Sequence, residues 1–133
     1  MKYMLDTNII IYVRNSGKDA SVRKRFTSHD PKDICISAIT LAELEYGVSN
    51  SDRPLENRGH IYEALSNIEV LPFDVSAAAE YGEIRADLKK KGTPIGPNDL
   101  LIAAHAKSLG LTLVTNNDKE FKRVKGLKVE NWA

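Results

Sequence analysis

Asp6, Glu43 and Asp99 are the residues of this chain best placed to do chemistry. Asp6 closes the apolar start Tyr3-Met4-Leu5, and Asp99 opens the run Leu100-Leu101-Ile102-Ala103-Ala104. Glu43 interrupts Leu41-Ala42-Glu43-Leu44, where a helix approaching a sheet is normally apolar. Singly, Asp6 and Asp99 read as helix-start residues. Brought together, carboxylates raise one another's pKa and stay ionised only around a cation. An all-oxygen ligand set suits Mg²⁺ or Mn²⁺. Such an ion activates water and neutralises charge on a phosphate under in-line attack, so the chemistry expected is phosphodiester hydrolysis. Asn117 or Asp118 offers a fourth corner.

Other chemistries find less support. Metal-independent RNA cleavage generally needs an acid and base such as a histidine pair. His29 and His60 are expected in polar surroundings, and His105 as a packed residue of a buried helix. Cys35, within Ile34-Cys35-Ile36, reads as a small buried hydrophobe. A phosphohydrolase of the haloacid-dehalogenase type uses an aspartate after its first strand and a second aspartate two residues later, where this chain has Asn8. It also lacks a lysine in the strand-end setting such enzymes use. No G-x-G-x-x-G follows the first strand, which excludes a dinucleotide site of that kind.

The elements that must position the acids alternate. Tyr3 to Leu5 reads as a strand, followed by a helix through Ile9 to Val13 that ends near Asn15-Ser16-Gly17. A strand from Asp33 to Ser37 leads to a helix that Ser37 or Thr40 can cap, which carries Glu43 and stops near Gly47. After a polar loop around Asn50 to Pro54 come a helix through Ile61 and Leu65 and a strand at Ile68 to Leu71. A long helix from Val75 to Lys91 follows, stopped by Gly92. Gly96-Pro97-Asn98-Asp99 opens the next helix, with an acid where the helix dipole favours an anion. Gly110 ends it, Leu111 to Thr115 is a β-branched strand, Asn116-Asn117-Asp118 is a turn, and a last strand lies near Leu127 to Val129. This alternation predicts an α/β fold, with a mostly parallel sheet of about five short strands wrapped by helices and a site beyond the strands' carboxyl ends.

The chain has 133 residues, 42% of them hydrophobic, which fits one domain spanning residues 1–133. At that size roughly 65 to 70% of the unfolded surface can be buried, so neither disulfides nor structural zinc are needed. The charged Asp6 leaves no room for a signal-peptide apolar region, and no apolar run approaches the ~20 residues of a membrane span. A cytoplasmic protein without membrane association is expected. Net charge is +1, from 19 Lys plus Arg against 18 Asp plus Glu. Basic residues nevertheless cluster at Arg23-Lys24-Arg25, Lys89-Lys90-Lys91 and from Lys119 to Lys128, as solvated faces or as RNA contacts if they lie near the site.

Four segments carry a resemblance: Met4-Leu5-Asp6-Thr7-Asn8; Ser37-Ala38-Ile39-Thr40 leading to Glu43-Leu44; Gly92 to Asp99 with Ile102-Ala103-Ala104-His105-Ala106; and Val114-Thr115-Asn116-Asn117 leading to Glu120-Phe121. In order, spacing and setting, over essentially the whole chain, they resemble the PIN-domain ribonucleases of the VapC toxin type. The resemblance implies that Asp6, Glu43 and Asp99 are site acids holding one or two Mg²⁺ or Mn²⁺ ions. Many PIN domains have an aspartate where this chain has Asn117. The fourth ligand is then the Asn117 amide, the neighbouring Asp118 or water, and a second ion should bind weakly. The resemblance further implies RNA cleavage that halts translation, in several members at a tRNA anticodon loop, a cognate antitoxin, and a homodimer. Apolar faces of Ile9 to Val13 and of the helices near Tyr46 and Ile61 either form a groove for an antitoxin helix or pack into the core. The rival from another class is a catalytically weak RNA-binding or interaction module of the same fold.

Overall fold

The structure, a computed structural model, describes residues 1–15 and 21–132. Strand β1 (Tyr3–Leu5) runs into helix α1 (Thr7–Asn15); the Ser16-Gly17 stop expected for this helix lies outside the described residues. Helix α2 (Ser21–Ser28) and a 3₁₀ turn at Pro31–Asp33 lead to β2 (Ile34–Ser37). Then follow α3 (Ala38–Ser49), α4 (Pro54–Ala64), β3 (Glu69–Leu71), α5 (Val75–Lys91), α6 (Pro97–Ser108), β4 (Thr112–Val114), α7 (Asp118–Phe121) and β5 (Lys128–Glu130).

The five strands among the described residues are all parallel, in the order β3-β2-β1-β4-β5. The chain steps outward from β1 through β2 to β3, then returns to the other side of β1 for β4 and β5. That reversal opens a crevice beyond the carboxyl ends of β1 and β4. Asp6 directly follows β1, and Thr115 directly follows β4.

Period-two alternation along the strands splits the core between the two sheet faces. Leu5, Ile34, Ile36 and Val114 join Ile9, Leu44, Val48, Ile61 and Trp132 on one face. Met4, Cys35 and Leu113 join Leu88, Ile102, Ala103 and Phe121 on the other. Burial, with the Glu69 carboxylate adding to it, pushes the Cys35 thiol up to about 12 and leaves it inert.

Capping sets the helix ends. Ser37, not Thr40, caps α3, its Oγ accepting from the Ile39 N–H at 3.0 Å. The helix runs past Gly47 to Ser49, because that glycine lies on an exposed helical turn where nothing forces a stop. At Gly92 a φ of 70° takes the left-handed conformation that closes α5.

Helix α2, the 3₁₀ turn and α7 are not foreseen from the hydrophobic pattern. Helix α2 buries only Val22, and α7 is a single turn. Asp33, expected in β2, belongs to the 3₁₀ turn. The expectation for His29 is overturned. Its ring stacks on Trp132 at 4.8 Å and meets Tyr3 at 4.7 Å, because the chain after β5 folds back and buries Trp132 there. Among the described residues no helix is long and apolar enough to cross a membrane.

Candidate active site

Asp6 is 3% exposed, and its carboxylate is held at both oxygens. Oδ1 accepts from the Thr7 N–H at 2.8 Å, and Oδ2 from the Thr115 hydroxyl at 2.9 Å, which pins β1 to β4 across the crevice. Burial raises the pKa of Asp6 despite the opposing bonds from Thr115 and Thr7, and Glu43 and Glu120 push it the same way.

Glu43 reaches the crevice from the second turn of α3. Its Oε1 accepts from the Thr7 hydroxyl at 2.6 Å and its Oε2 from the Asn98 amide at 3.4 Å. Thr7 therefore ties Asp6, through its N–H, to Glu43, through its hydroxyl. Asp99 stands in the first turn of α6. Burial pushes its carboxyl up to about 7, with further contributions from Asp6, Glu120 and Glu43 and from a hydrogen bond with Glu120.

Glu120, on α7, is the residue that the motif reading passed over as a site acid. Its Oε1 accepts from the Gly96 N–H at 2.8 Å, and its Oε2 from the Asn117 side-chain amide. Arg123, one turn on, donates to the Pro94 carbonyl at 3.0 Å, so two bonds fasten the loop that delivers Asp99. The available signal was the spacing Asn117-x-x-Glu120, which puts both side chains on one side of a helical turn.

Of the two candidates for the fourth corner, Asn117 faces the site. Its N–H bonds the Thr115 hydroxyl at 2.9 Å, and its amide orients Glu120. Asp118 is engaged elsewhere, with Lys122 at 3.4 Å and the Asn131 amide at 3.2 Å.

His105 behaves as a packed residue, 1% exposed, with Nδ1 2.8 Å from Ser37 Oγ. Burial lowers its pKa, which keeps the ring neutral.

The acids suit a divalent cation. Asp6, Glu43, Asp99 and Glu120 supply only oxygen donors and repel one another, the arrangement a hard cation relieves. A Cβ at Gly96 would stand 3.5 Å from Asp99 Oδ2 and 3.8 Å from Glu120 Oε1, so the missing side chain leaves space beside both. Among the described residues no three acidic or histidine side chains already form a closed ligand cluster. A cation would therefore have to draw them in.

This fold, with acids gathered at its switch point, defines a class of hydrolase, and the comparisons give the family. Residues 3–127 match the PIN domain model. The chain is 49% identical over 133 residues to a tRNA(fMet)-specific endonuclease VapC of Shigella flexneri, covering 100% of this chain and 99% of that one. Among solved structures it is similar to VapBC2 of Rickettsia felis bound to a promoter DNA fragment, with a TM-score of 0.92, 46% identity and both chains covered completely. DNA-bound VapBC of Salmonella typhimurium also gives a TM-score of 0.92 at 46% identity, covering 100% of this chain and 99% of that one. The chain belongs to the PIN-domain family, among its VapC ribonucleases. PIN-domain nucleases generally use divalent metal ions.

Proposed function

We propose that this protein is the toxin of a toxin–antitoxin pair and cuts tRNA(fMet) by hydrolysis, with Asp6, Glu43, Asp99 and Glu120 as the groups that bind Mg²⁺, or Mn²⁺ in its place. The observation that carries the reading is the convergence of these acids beyond β1 and β4, with burial and mutual repulsion raising the pKa of both Asp6 and Asp99. The tRNA comes from the Shigella relative's specificity, which the full-length match brings within reach of this chain.

A divalent ion held there would supply a water of lowered pKa and positive charge for the phosphate under attack. The chain's own residues set the geometry. Thr115 and Thr7 fix the carboxylate plane of Asp6, Thr7 and Asn98 hold Glu43, and Asn117 and Gly96 hold Glu120. These are partners of the kind that orient metal ligands in other sites. Asn117 thus acts by orienting an acid, Glu120.

The relatives' crystals as VapBC complexes support an antitoxin as partner. Ile9, Ile10 and Ile61 are buried in the core, and the side chains of Tyr12 and Val13 lie outside the described residues; among those described, the exposed apolar surface for it on α1, α3 and α4 is Ile11, Tyr46, Leu55 and Tyr62. A homodimer working in the cytoplasm completes the proposal.

The test is cleavage of a tRNA(fMet) transcript, with 5′ ends of the fragments mapped. Asp6→Asn and Asp99→Asn should each abolish cutting while circular dichroism stays native. EDTA should stop the wild type, and Mg²⁺ or Mn²⁺ restore it. Cleavage that survives EDTA and both substitutions would sink the reading in favour of a non-catalytic RNA-binding module.

A further inference from the structure

Beside the acids lies a cavity of about 540 Å³ whose walls differ sharply in chemistry. Thr7, Glu43 and Asn98 form its polar wall, already linked by the hydrogen bonds from Thr7 and Asn98 to Glu43. Ile39 and Leu101 form an apolar wall, and Tyr46 stands at the edge. Tyr46 is 70% exposed, the largest aromatic surface the described residues leave in water. It lies three residues after Glu43 on α3, so its ring and that carboxylate share one face of the helix.

We propose that this cavity receives a nucleobase next to the cut phosphate and that Tyr46 stacks on it. Tyr46 is thereby a positioning residue for the substrate; the proposal rests on the ribonuclease reading above. A phosphate bound among the acids carries its flanking nucleosides outward, and the cavity shares Glu43 with that site. RNA recognition favours unstacked bases laid on aromatic rings with their edges hydrogen-bonded. Here the ring is Tyr46, the edge partners are the Asn98 amide and the Thr7 hydroxyl, and the apolar wall takes the base's other surface. An acidic site repels the RNA backbone, so contacts to an uncharged base are the means of holding substrate that the field does not oppose.

The experiment is steady-state cleavage of a tRNA(fMet) transcript by the full chain, repeated on a transcript with an abasic nucleotide beside the mapped cut. Tyr46→Ala should raise KM roughly ten-fold or more, with kcat much less affected, and Tyr46→Phe, which keeps the ring, should restore KM. On the abasic transcript Tyr46→Ala should add no further loss, because the partner of the ring is already gone. Equal effects of Tyr46→Ala on intact and abasic transcripts, at every flanking position tried, overturn the proposal. So does a Tyr46→Ala variant that cuts with unchanged KM but escapes its antitoxin, which would assign the surface to the protein partner. A wild type inert on RNA would instead fail the ribonuclease reading, and Asp6→Asn supplies the blank for that comparison. Leu55→Ala, at another exposed apolar position, controls for general loss of surface.

Discussion

The backbone N–H of Gly96 donates to Glu120 Oε1 at 2.8 Å, joining the residue before α6 to a side chain on α7. One bond thereby sets two acids. It holds Glu120 in the crevice, and it fixes the entry to α6 from which Asp99 projects. Gly96 and Pro97 shape the end of the loop, and Arg123 grips Pro94 from outside.

Glu120→Gln should therefore weaken Mg²⁺ binding roughly 10-fold or more, whereas Asp118→Asn should leave it near the wild-type value. Isothermal titration of both variants decides between them. A loss seen with Asp118→Asn and not with Glu120→Gln would return the fourth corner to Asp118. In the wild type a second Mg²⁺ should bind weakly or not at all, and two tight sites would contradict that.

The strands were legible, and three acids stood out as candidates, because the signals are local. Tyr3 to Leu5 and Val75 to Lys91 appear in the structure with the bounds that their periodicity and stop signals set. Glu120 was not legible as a site residue. On a short surface helix an acid looks solvated, and only the parallel sheet brings α7 beside Gly96. His29 failed for the same reason. Its partners Tyr3 and Trp132 lie at opposite ends of the chain, and no neighbouring residue announces them.

Thr115 is fully buried and serves two partners, donating to Asp6 Oδ2 and accepting from the Asn117 N–H. Thr115→Val keeps the shape and leaves both unpaired. The expected cost is about 2 kcal/mol of stability by urea denaturation. A 10- to 100-fold fall in cleavage should accompany it, on the order typical of lost outer partners of a metal site. Unchanged activity at reduced stability would make Thr115 a purely structural residue.

Ser37 closes a chain of buried polar groups. Its Oγ accepts from the Ile39 N–H and is hydrogen-bonded to His105 Nδ1 at 2.8 Å, while the ring also bonds the backbone at Pro72. Ser37→Ala removes the cap and leaves His105 Nδ1 without its partner. A loss of about 1–2 kcal/mol is expected from the midpoint of urea unfolding. Since burial lowers the His105 pKa below its ordinary 6.5, this part of the stability should also fade as pH drops through and below about 6.5.

Gly96→Ala tests the space between the acids. The added methyl meets Asp99 Oδ2 and Glu120 Oε1 at ordinary contact distances, and the backbone φ of −57° suits alanine, so folding should be nearly unaffected. The methyl would exclude water and a cation from that side. A Mg²⁺ requirement raised several-fold, at unchanged thermal midpoint, is the expected outcome; an unchanged Mg²⁺ dependence would place the ion elsewhere.

Asp99 makes the metal-free protein carry a burden that depends on pH. Its carboxyl ionises at about 7 in the fold against an ordinary value of 3.8, so between those limits the native state holds a proton that the unfolded chain has released. Stability without metal should therefore fall as pH rises from about 4 to about 7 and level off above. The raised pKa of Asp6 slopes the same way and the lowered pKa of His105 the other way, which makes the difference between variant and wild type the better readout. Asp99→Asn removes the share that Asp99 contributes to the falling limb, so its Tm should match the wild type near pH 4 and exceed it by a growing margin up to pH 7. Adding Mg²⁺ at pH 8 should raise the wild-type Tm and raise that of Asp99→Asn by less, because the variant has lost one of the four acids and binds the cation more weakly. A Tm difference that stays constant from pH 4 to pH 8 would show that Asp99 is not the group held protonated by the fold.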